Sequence, residues 1–227
     1  TKDMADTEYK KANYQQAIKD YEELLKYGVS PELYYNLGNS YYRINNITRA
    51  LINYERASML DPGNKDIRFN LQFVRNKTID KYADDNEMFF VTWYKTIVNI
   101  ASVDGWAKIS VISVIFALLL LLVYLFCENV NLRKVGFFGS LAFIGCFIFS
   151  LLFAYQQKYY FENRCGAIAI SPVVNVKKTP SVGNTDEFII HEGTKVYITD
   201  RGMKGWIGVR LSDGREGWIL KDQIEEI

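Results

Sequence analysis

Side chains able to do covalent or metal chemistry are few in this chain and widely scattered. It has one histidine, His191, and three cysteines, Cys127, Cys146 and Cys165. A catalytic thiol needs a base within reach, and a zinc site needs Cys or His at short fixed spacings. No cysteine pair has such a spacing, and Cys146 falls in a stretch without charges. His191 precedes Glu192-Gly193 in a turn signal, where a structural role is expected. Gly-rich phosphate loops of the P-loop or dinucleotide type are absent. With 27 Lys+Arg against 26 Asp+Glu the net charge is +1, so nothing in the bulk electrostatics calls for nucleic acid. The expectation is a chain that binds and does not catalyse, with no cofactor and no metal. The triplets Asn46-Ile47-Thr48 and Asn76-Lys77-Thr78 match glycosylation signals but fall in helical segments.

The elements that would position a binding surface show in the uneven spread of apolar residues. Ile109 to Phe126 is a run of 18 residues without a charge, and Val135 to Tyr155 is a run of 21. At about 1.5 Å per residue, either covers most or all of a hydrocarbon core of about 30 Å. Charged residues gather on either side of these runs, in balanced numbers, within residues 1–88 and 164–227. The expected fold is therefore a multidomain membrane protein with a soluble domain before and after a helical hairpin, both on one face of the membrane.

The first domain repeats itself. An offset of 34 aligns Tyr35-Asn36-Leu37 with Phe69-Asn70-Leu71, and an offset of 33 aligns Ala17-x3-Tyr21 with Ala50-x3-Tyr54. Periods of this length mark stacked helix-turn-helix units. The middle unit reads Tyr34-x2-Leu37-Gly38-x2-Tyr41, then Ala50-x3-Tyr54-x2-Ala57, then Asp61-Pro62. Gly38 and Ala50 permit close helix approach, Tyr41 and Tyr54 fill the space between units, and Pro62-Gly63 ends the unit. The pattern resembles the tetratricopeptide repeat (TPR), an all-α solenoid, over residues 1–81. Ala5 stands in the first unit where Gly38 stands in the second, and Ile67, Leu71 and Val74 are expected on a last, capping helix. The resemblance implies a concave face that binds peptides or protein segments, lined here by Tyr35, Asn36, Asn39, Tyr42, Arg43, Asn70 and Phe73. Asn amides can both donate to and accept from an extended backbone. The alternative is that Asn36 and Asn70 only satisfy groups between repeats.

Residues 82–105 read as an amphipathic connector. From Met88 to Ala101, Phe89, Phe90, Trp93, Tyr94, Ile97 and Ile100 recur at helical spacing, which suits a helix at the membrane interface or one packed on the last TPR helix. Asp104-Gly105 reads as a break and N-cap, with Trp106 at headgroup level. The spans are expected at 106–126 and 135–155, joined by a short loop, 127–134, and followed by a linker, 156–165. Tyr155, Tyr159, Tyr160 and Phe161 would form the second aromatic belt. Small residues at Ser110, Ser113 and Ala117, and at Gly139, Ala142, Cys146, Ser150 and Ala154, suit close helix packing in lipid. The absence of Asp, Glu, Lys, Arg and His from both runs argues against a proton relay or ion path. Arg133 and Lys134 favour a cytoplasmic loop over the flanks carrying Lys95, Lys108, Lys158 and Arg164. The chain begins at Thr1 and not at Met, which would suit a cleaved signal peptide.

Residues 166–227 read as a small SH3-like β-barrel. Five short strands are expected: 167–170, 174–176, 195–198, 206–209 and 217–219. Turn signals separate them at Ser171-Pro172, Gly183-Asn184, Glu192-Gly193 and Asp213-Gly214. The run from Asn175-Val176 through His191-Glu192-Gly193-Thr194 to Asp213-Gly214-Arg215-x-Gly217-Trp218-Ile219 resembles the bacterial SH3 (SH3b) family. Trp218 is expected in the barrel core and Trp206 partly buried, with a ligand platform as the alternative.

The order of parts, with Ser102-Val103-Asp104-Gly105-Trp106-Ala107 leading into the first span, resembles the BatE-like, TPR-bearing proteins of the Bacteroides aerotolerance (Bat) group. That resemblance implies an inner-membrane protein with both domains periplasmic. It also implies a hetero-oligomer with other Bat proteins that carry von Willebrand factor A domains and with a MoxR-type AAA+ ATPase. The function expected is a non-enzymatic scaffold linked to oxygen or stress tolerance; the alternative is envelope anchoring, with the SH3-like domain on peptidoglycan.

Overall fold

A computed structural model describes residues 1–81, 89–163, 165–181, 183 and 185–227. Part of the expected connector (82–88), the flank residue Arg164, Val182 and the turn residue Asn184 lie outside the described residues. The chain forms two compact units: one joins the N-terminal helices to the C-terminal strands, and the other is Phe89–Asn163.

In the first unit five helices stack in sequence: α1 (Lys2–Lys10), α2 (Tyr14–Leu25), α3 (Pro31–Arg43), α4 (Ile47–Leu60) and α5 (Lys65–Arg75). The starts of α3, α4 and α5 are set by short polar caps. Ser30 Oγ accepts from Leu33 N at 3.1 Å ahead of Pro31, Asn46 Oδ1 accepts from Arg49 N, and Asn64 Oδ1 accepts from Asp66 N. The small residues sit where close approach demands them. Ala5, Ala17 and Ala50 are fully buried, and a Cβ on Gly38 would stand 2.8 Å from the Tyr54 ring. Ile67, Leu71 and Val74 are buried on α5.

The strands of this unit are β1 (Gly166–Ala169), β2 (Val173–Lys177), β3 (Asp186–His191), β4 (Lys195–Asp200), β5 (Trp206–Arg210), β6 (Glu216–Leu220) and β7 (Ile224–Glu226). They make one antiparallel sheet in the order β3-β2-β6-β5-β4-β1-β7. The five expected strands are present, and β3 and β7 are additions. The closed barrel expected from the sequence is not seen. β3 and β7 are the two edges, and β2 meets β6 through one registered pair, Lys177 with Trp218. The edge at β7 is covered by helix, because Arg56 of α4 donates to the Glu226 backbone carbonyl at 2.8 Å. The sheet's core is aliphatic, with Val174, Val176, Ile190, Val196, Val209 and Ile219 at its centre. Trp218 is not in it: alternation along β6 turns Ile219 inward and leaves Trp218 half-buried on the other face, as Trp206 is on β5.

The sheet and the helices share a core. Ile168 and Ile227 are buried in one cluster with Leu51, Ile52, Tyr54, Leu71 and Val74. Gly193, at φ +85, lies so near α5's end that a Cβ there would stand 2.6 Å from Thr78 Cγ2.

The second unit holds α6 (Phe89–Val98), α7 (Val103–Phe126) and α8 (Val130–Glu162). α7 and α8 are long and apolar enough to cross a membrane, with mean hydropathy 3.0 and 2.3 over their most apolar windows. Their ends differ from the expected ones. Ser102, not Asp104, caps α7, accepting from Gly105 N at 3.2 Å. The link to α8 shrinks to Cys127–Asn129, because Asn129 caps α8 through Asn131 N. α8 also runs on through Gln156, Gln157 and Lys158 to Glu162, a stretch free of Gly and Pro. On α7 the packed small residues are Ser110, Ser113 and Ala117, as expected. On α8 they are Gly136, Ser140 and Ser150, while Ala142 and Cys146 face outward. Gly136 decides this register: a Cβ there would lie 2.7 Å from the Leu120 carbonyl oxygen.

Candidate protein-binding site

The odd-numbered helices of the stack, α1, α3 and α5, face a cavity of about 300 Å³. Asn39, Tyr42, Arg43, Asn70 and Phe73 line it, together with Tyr9, Tyr54, Phe69 and Val74. The structure thus brings five of the seven residues named from the sequence to one place. Tyr35 and Asn36 stand aside from the lining. The Tyr35 ring packs on Tyr54 with centroids 5.9 Å apart and its hydroxyl accepts from Asn70. Asn36 Nδ2 donates to Asp6 Oδ1 at 3.3 Å, a bridge between repeats.

The floor of the cavity is an amide pair. Asn39 Oδ1 accepts from the Tyr54 hydroxyl at 2.7 Å and from Asn70 Nδ2 at 3.1 Å. Asn70 Nδ2 also donates to Tyr35. Among the described residues no hydrogen bond is made by Asn39 Nδ2 or accepted by Asn70 Oδ1, which leaves one donor and one acceptor on the pair. Burial pushes the Tyr54 hydroxyl well above its ordinary range, which keeps it a neutral donor.

The wall is aromatic. Tyr42 and Phe73 meet edge to face at 5.8 Å, and Phe69 stacks beside Phe73 at 6.4 Å. Phe69 is 70% exposed, a large apolar area left to solvent. Lys77 lies over both Tyr42 and Phe73 at about 5 Å and donates to the Tyr42 hydroxyl at 2.9 Å. Arg43, exposed, reaches the Tyr9 hydroxyl at 3.4 Å. Phe69 was legible from the offset of 34, which aligns it with Tyr35; that same offset places Tyr9, Arg43 and Lys77 on one another.

The sheet holds the opposite side of the stack through three polar clusters that the sequence did not signal. Glu55, its side chain 4% exposed, accepts from Lys195 at 2.8 Å and from Arg75 at 3.0 Å. Burial alone would raise this carboxyl, but the two cations outweigh it and hold it below the usual carboxylate range. Asp80 accepts from His191 N at 2.7 Å and from Thr194 Oγ1 at 2.6 Å, and His191 Nδ1 lies 3.0 Å away. Against the burial that would raise it, those bonds keep Asp80 low. Glu225 pairs with Arg56 at 3.0 Å and with Arg49. His191 therefore serves as a structural clasp.

Residues 31–64 match the family described as Tetratricopeptide repeat. That segment is a TPR. Its helices α3 and α4 supply the middle of the cavity and the surface on which the sheet sits. Among curated proteins, the chain is 36% identical over 58 residues to Rho guanine nucleotide exchange factor 5 of Mus musculus. The match takes in 25% of this chain and 4% of that protein's length. Among solved structures, NlpC2 from Trichomonas vaginalis shares 21% identity over 27% of this chain and 23% of that one, with a TM-score of 0.25. The C-terminal SH3 domain of Myosin IB from Entamoeba histolytica shares 27% identity over 26% of this chain and 97% of that one, with a TM-score of 0.18. A TPR points to a role in protein–protein interaction.

Proposed function

We propose that the protein is a membrane-anchored, non-enzymatic adaptor that holds an extended peptide segment of a partner in the TPR groove. The observation that carries this reading is the open amide pair of Asn39 and Asn70 beside the exposed ring of Phe69. One peptide unit of a strand-like ligand can accept from Asn39 Nδ2 and donate to Asn70 Oδ1, while a neighbouring side chain covers Phe69 and Phe73. The groove is free for this because the C-terminal sheet occupies the other side of the stack.

On this reading α7 and α8 cross the bilayer as a hairpin. An even number of crossings fits the clasp, since Glu55 and Lys195 bond when both ends of the chain lie on one side. In keeping with the order of parts, we place that side in the periplasm of an inner membrane, with the C-terminal sheet as an SH3-like module. The proposed partners are membrane-anchored proteins with von Willebrand factor A domains, in a complex served by a MoxR-type AAA+ ATPase.

The test is purification of the full chain from its native membrane in mild detergent, alongside the Phe69→Ala/Phe73→Ala double variant. A hetero-oligomer is expected for the natural chain, with its affinity lowered about thirtyfold or more in the variant, as for loss of an aromatic hot spot. A lone monomer, or a complex indifferent to the substitutions, overturns the reading.

A further inference from the structure

We propose that α6 is an amphipathic anchor lying in the headgroup layer of the bilayer, with Phe89, Phe90 and Trp93 in lipid. The inference rests on α7 and α8 being membrane spans and adds a third, surface-lying contact with the same membrane.

α6 divides its circumference into three sectors. At about 100° per residue, Phe89, Trp93, Ile97 and Phe90 fall within one arc of about 100°. Val91, Tyr94 and Val98 fall in the next, and Thr92, Lys95 and Thr96 in the last. The second arc is the one packed on the hairpin. Val98 is 4% exposed, and the Tyr94 ring meets Phe153 at 6.2 Å while its hydroxyl bonds Gln156. The first arc has no such cover: Phe89, Phe90 and Trp93 are 84%, 62% and 61% exposed. A helix that needed only to pack on its neighbours would have one apolar face. This one carries its apolar surface on well past the packed arc, round to the edge of its polar face.

What covers that face follows from where α6 is tied. Its last carbonyl, Val98 O, and that of Ala101 just beyond it take bonds from the two long helices, at the ends of their apolar runs. Trp106 Nε1, in the first turn of α7, donates to Val98 O at 2.8 Å. Gln157 Nε2, two residues past the apolar run of α8, donates to Val98 O at 2.7 Å and to Ala101 O at 2.8 Å. Helix ends without such donors leave carbonyls bare, which is costly away from water. The same level of α8 carries the exposed rings of Tyr155, Tyr159 and Tyr160, residues suited to a membrane–water boundary. α6 is thus fixed at the depth where apolar tails give way to headgroups, and its bare aromatic arc continues the apolar surface of the two long helices. A bilayer interface satisfies both free sectors at once, lipid for the aromatic arc and water for Thr92 and Thr96.

The test uses the full chain, with Cys127, Cys146 and Cys165 replaced by Ser or Ala, in vesicles of phosphatidylethanolamine and phosphatidylglycerol. Single spin labels are placed through Phe90→Cys, Trp93→Cys, Thr96→Cys and, within α7, Ile115→Cys. Accessibility to oxygen and to a water-soluble nickel chelate is read for each. Labels at 90 and 93 are expected to be reached by oxygen in preference to nickel, at shallower depth than the label at 115, with the preference reversed at 96. Labels at 90 and 93 as open to nickel as that at 96, or closed to both reagents by protein, overturn the inference while the label at 115 still reads lipid. A label at 115 that reads water removes the spans themselves, and the anchor with them.

Discussion

Glu55 is the residue on which the joint between helices and sheet turns. Its carboxylate is buried, with Lys195 and Arg75 as its cationic partners. Removing one partner of a buried pair leaves charge uncompensated, at a cost of about 3–5 kcal/mol. Lys195→Ala is expected to fall near the lower end, because Arg75 remains, and to show as a lowered melting temperature of the full chain in detergent. The double variant Glu55→Gln/Lys195→Met should recover part of the loss, since the buried carboxylate goes together with its lysine and only the part-exposed Arg75 keeps its charge. Acid acts on the same joint. Glu55 and Asp80 both titrate lower in the folded chain than in an unfolded one. Their stabilising effect is complete above the ordinary carboxylate range and is lost as pH falls through their folded values. Melting temperature should therefore drop with acidification more steeply in the natural chain than in the double variant; parallel curves would sink this account.

At the scale of elements, periodicity made the TPR helices and the two apolar helices readable, because a repeat of 34 and a long chargeless run are each set by local composition. Five strands were readable from turn residues. β3 and β7 were not: Asp186-Glu187 opens one with charges, and β7 is three residues long. Neither signals a strand until its neighbour is present. The groove residues that the sequence missed, Tyr9 and Tyr54, come from helices whose approach is set by Gly38 and Ala5. Pairings between distant segments, such as Asp80 with His191, leave no local trace. Of the small residues expected on α8, Ser150 is buried and Gly139 meets Leu120, while Ala142 and Cys146 face outward; only the partner helix reveals that Gly136 and Ser140 belong to the contact. Gly136→Val is expected to force α7 and α8 apart at that level, at a cost of about 1–3 kcal/mol. Gly145→Val, where nothing lies within 4 Å of the added carbon, should be tolerated. Thermal stability of the two variants in one detergent makes the comparison.

At the scale of the molecule, the two ends of the chain are one body. Each part has a buried cluster of its own, but the N-terminal stack leaves Leu51, Ile52 and Val74 to be covered by Ile168 and Ile227, so each alone would expose an apolar face. Residues 1–81 and 165–227, made separately, are expected to be poorly folded apart and to combine when mixed. Circular dichroism and gel filtration of each fragment and of the mixture would check this; two stable, non-associating fragments would contradict it. If the protein acts as the proposed adaptor, its groove is presented on a platform tied to the sheet through a shared core.

The bond from Glu55 to Lys195 spans 140 residues of sequence. At a synthesis rate of about 5–20 residues per second, the helices emerge roughly 7–28 s before the strand that completes them. On the proposed reading of α7 and α8 as spans, the hairpin between them has to be inserted in that interval, with both crossings made. A chain that places one span wrongly delivers the strands to the far side, and the waiting helices keep an open apolar face, the kind of surface that chaperones and proteases act on. If α7 and α8 cross a membrane as proposed, correct insertion is a condition of folding, and the joint between the chain's ends acts as proofreading of its own topology.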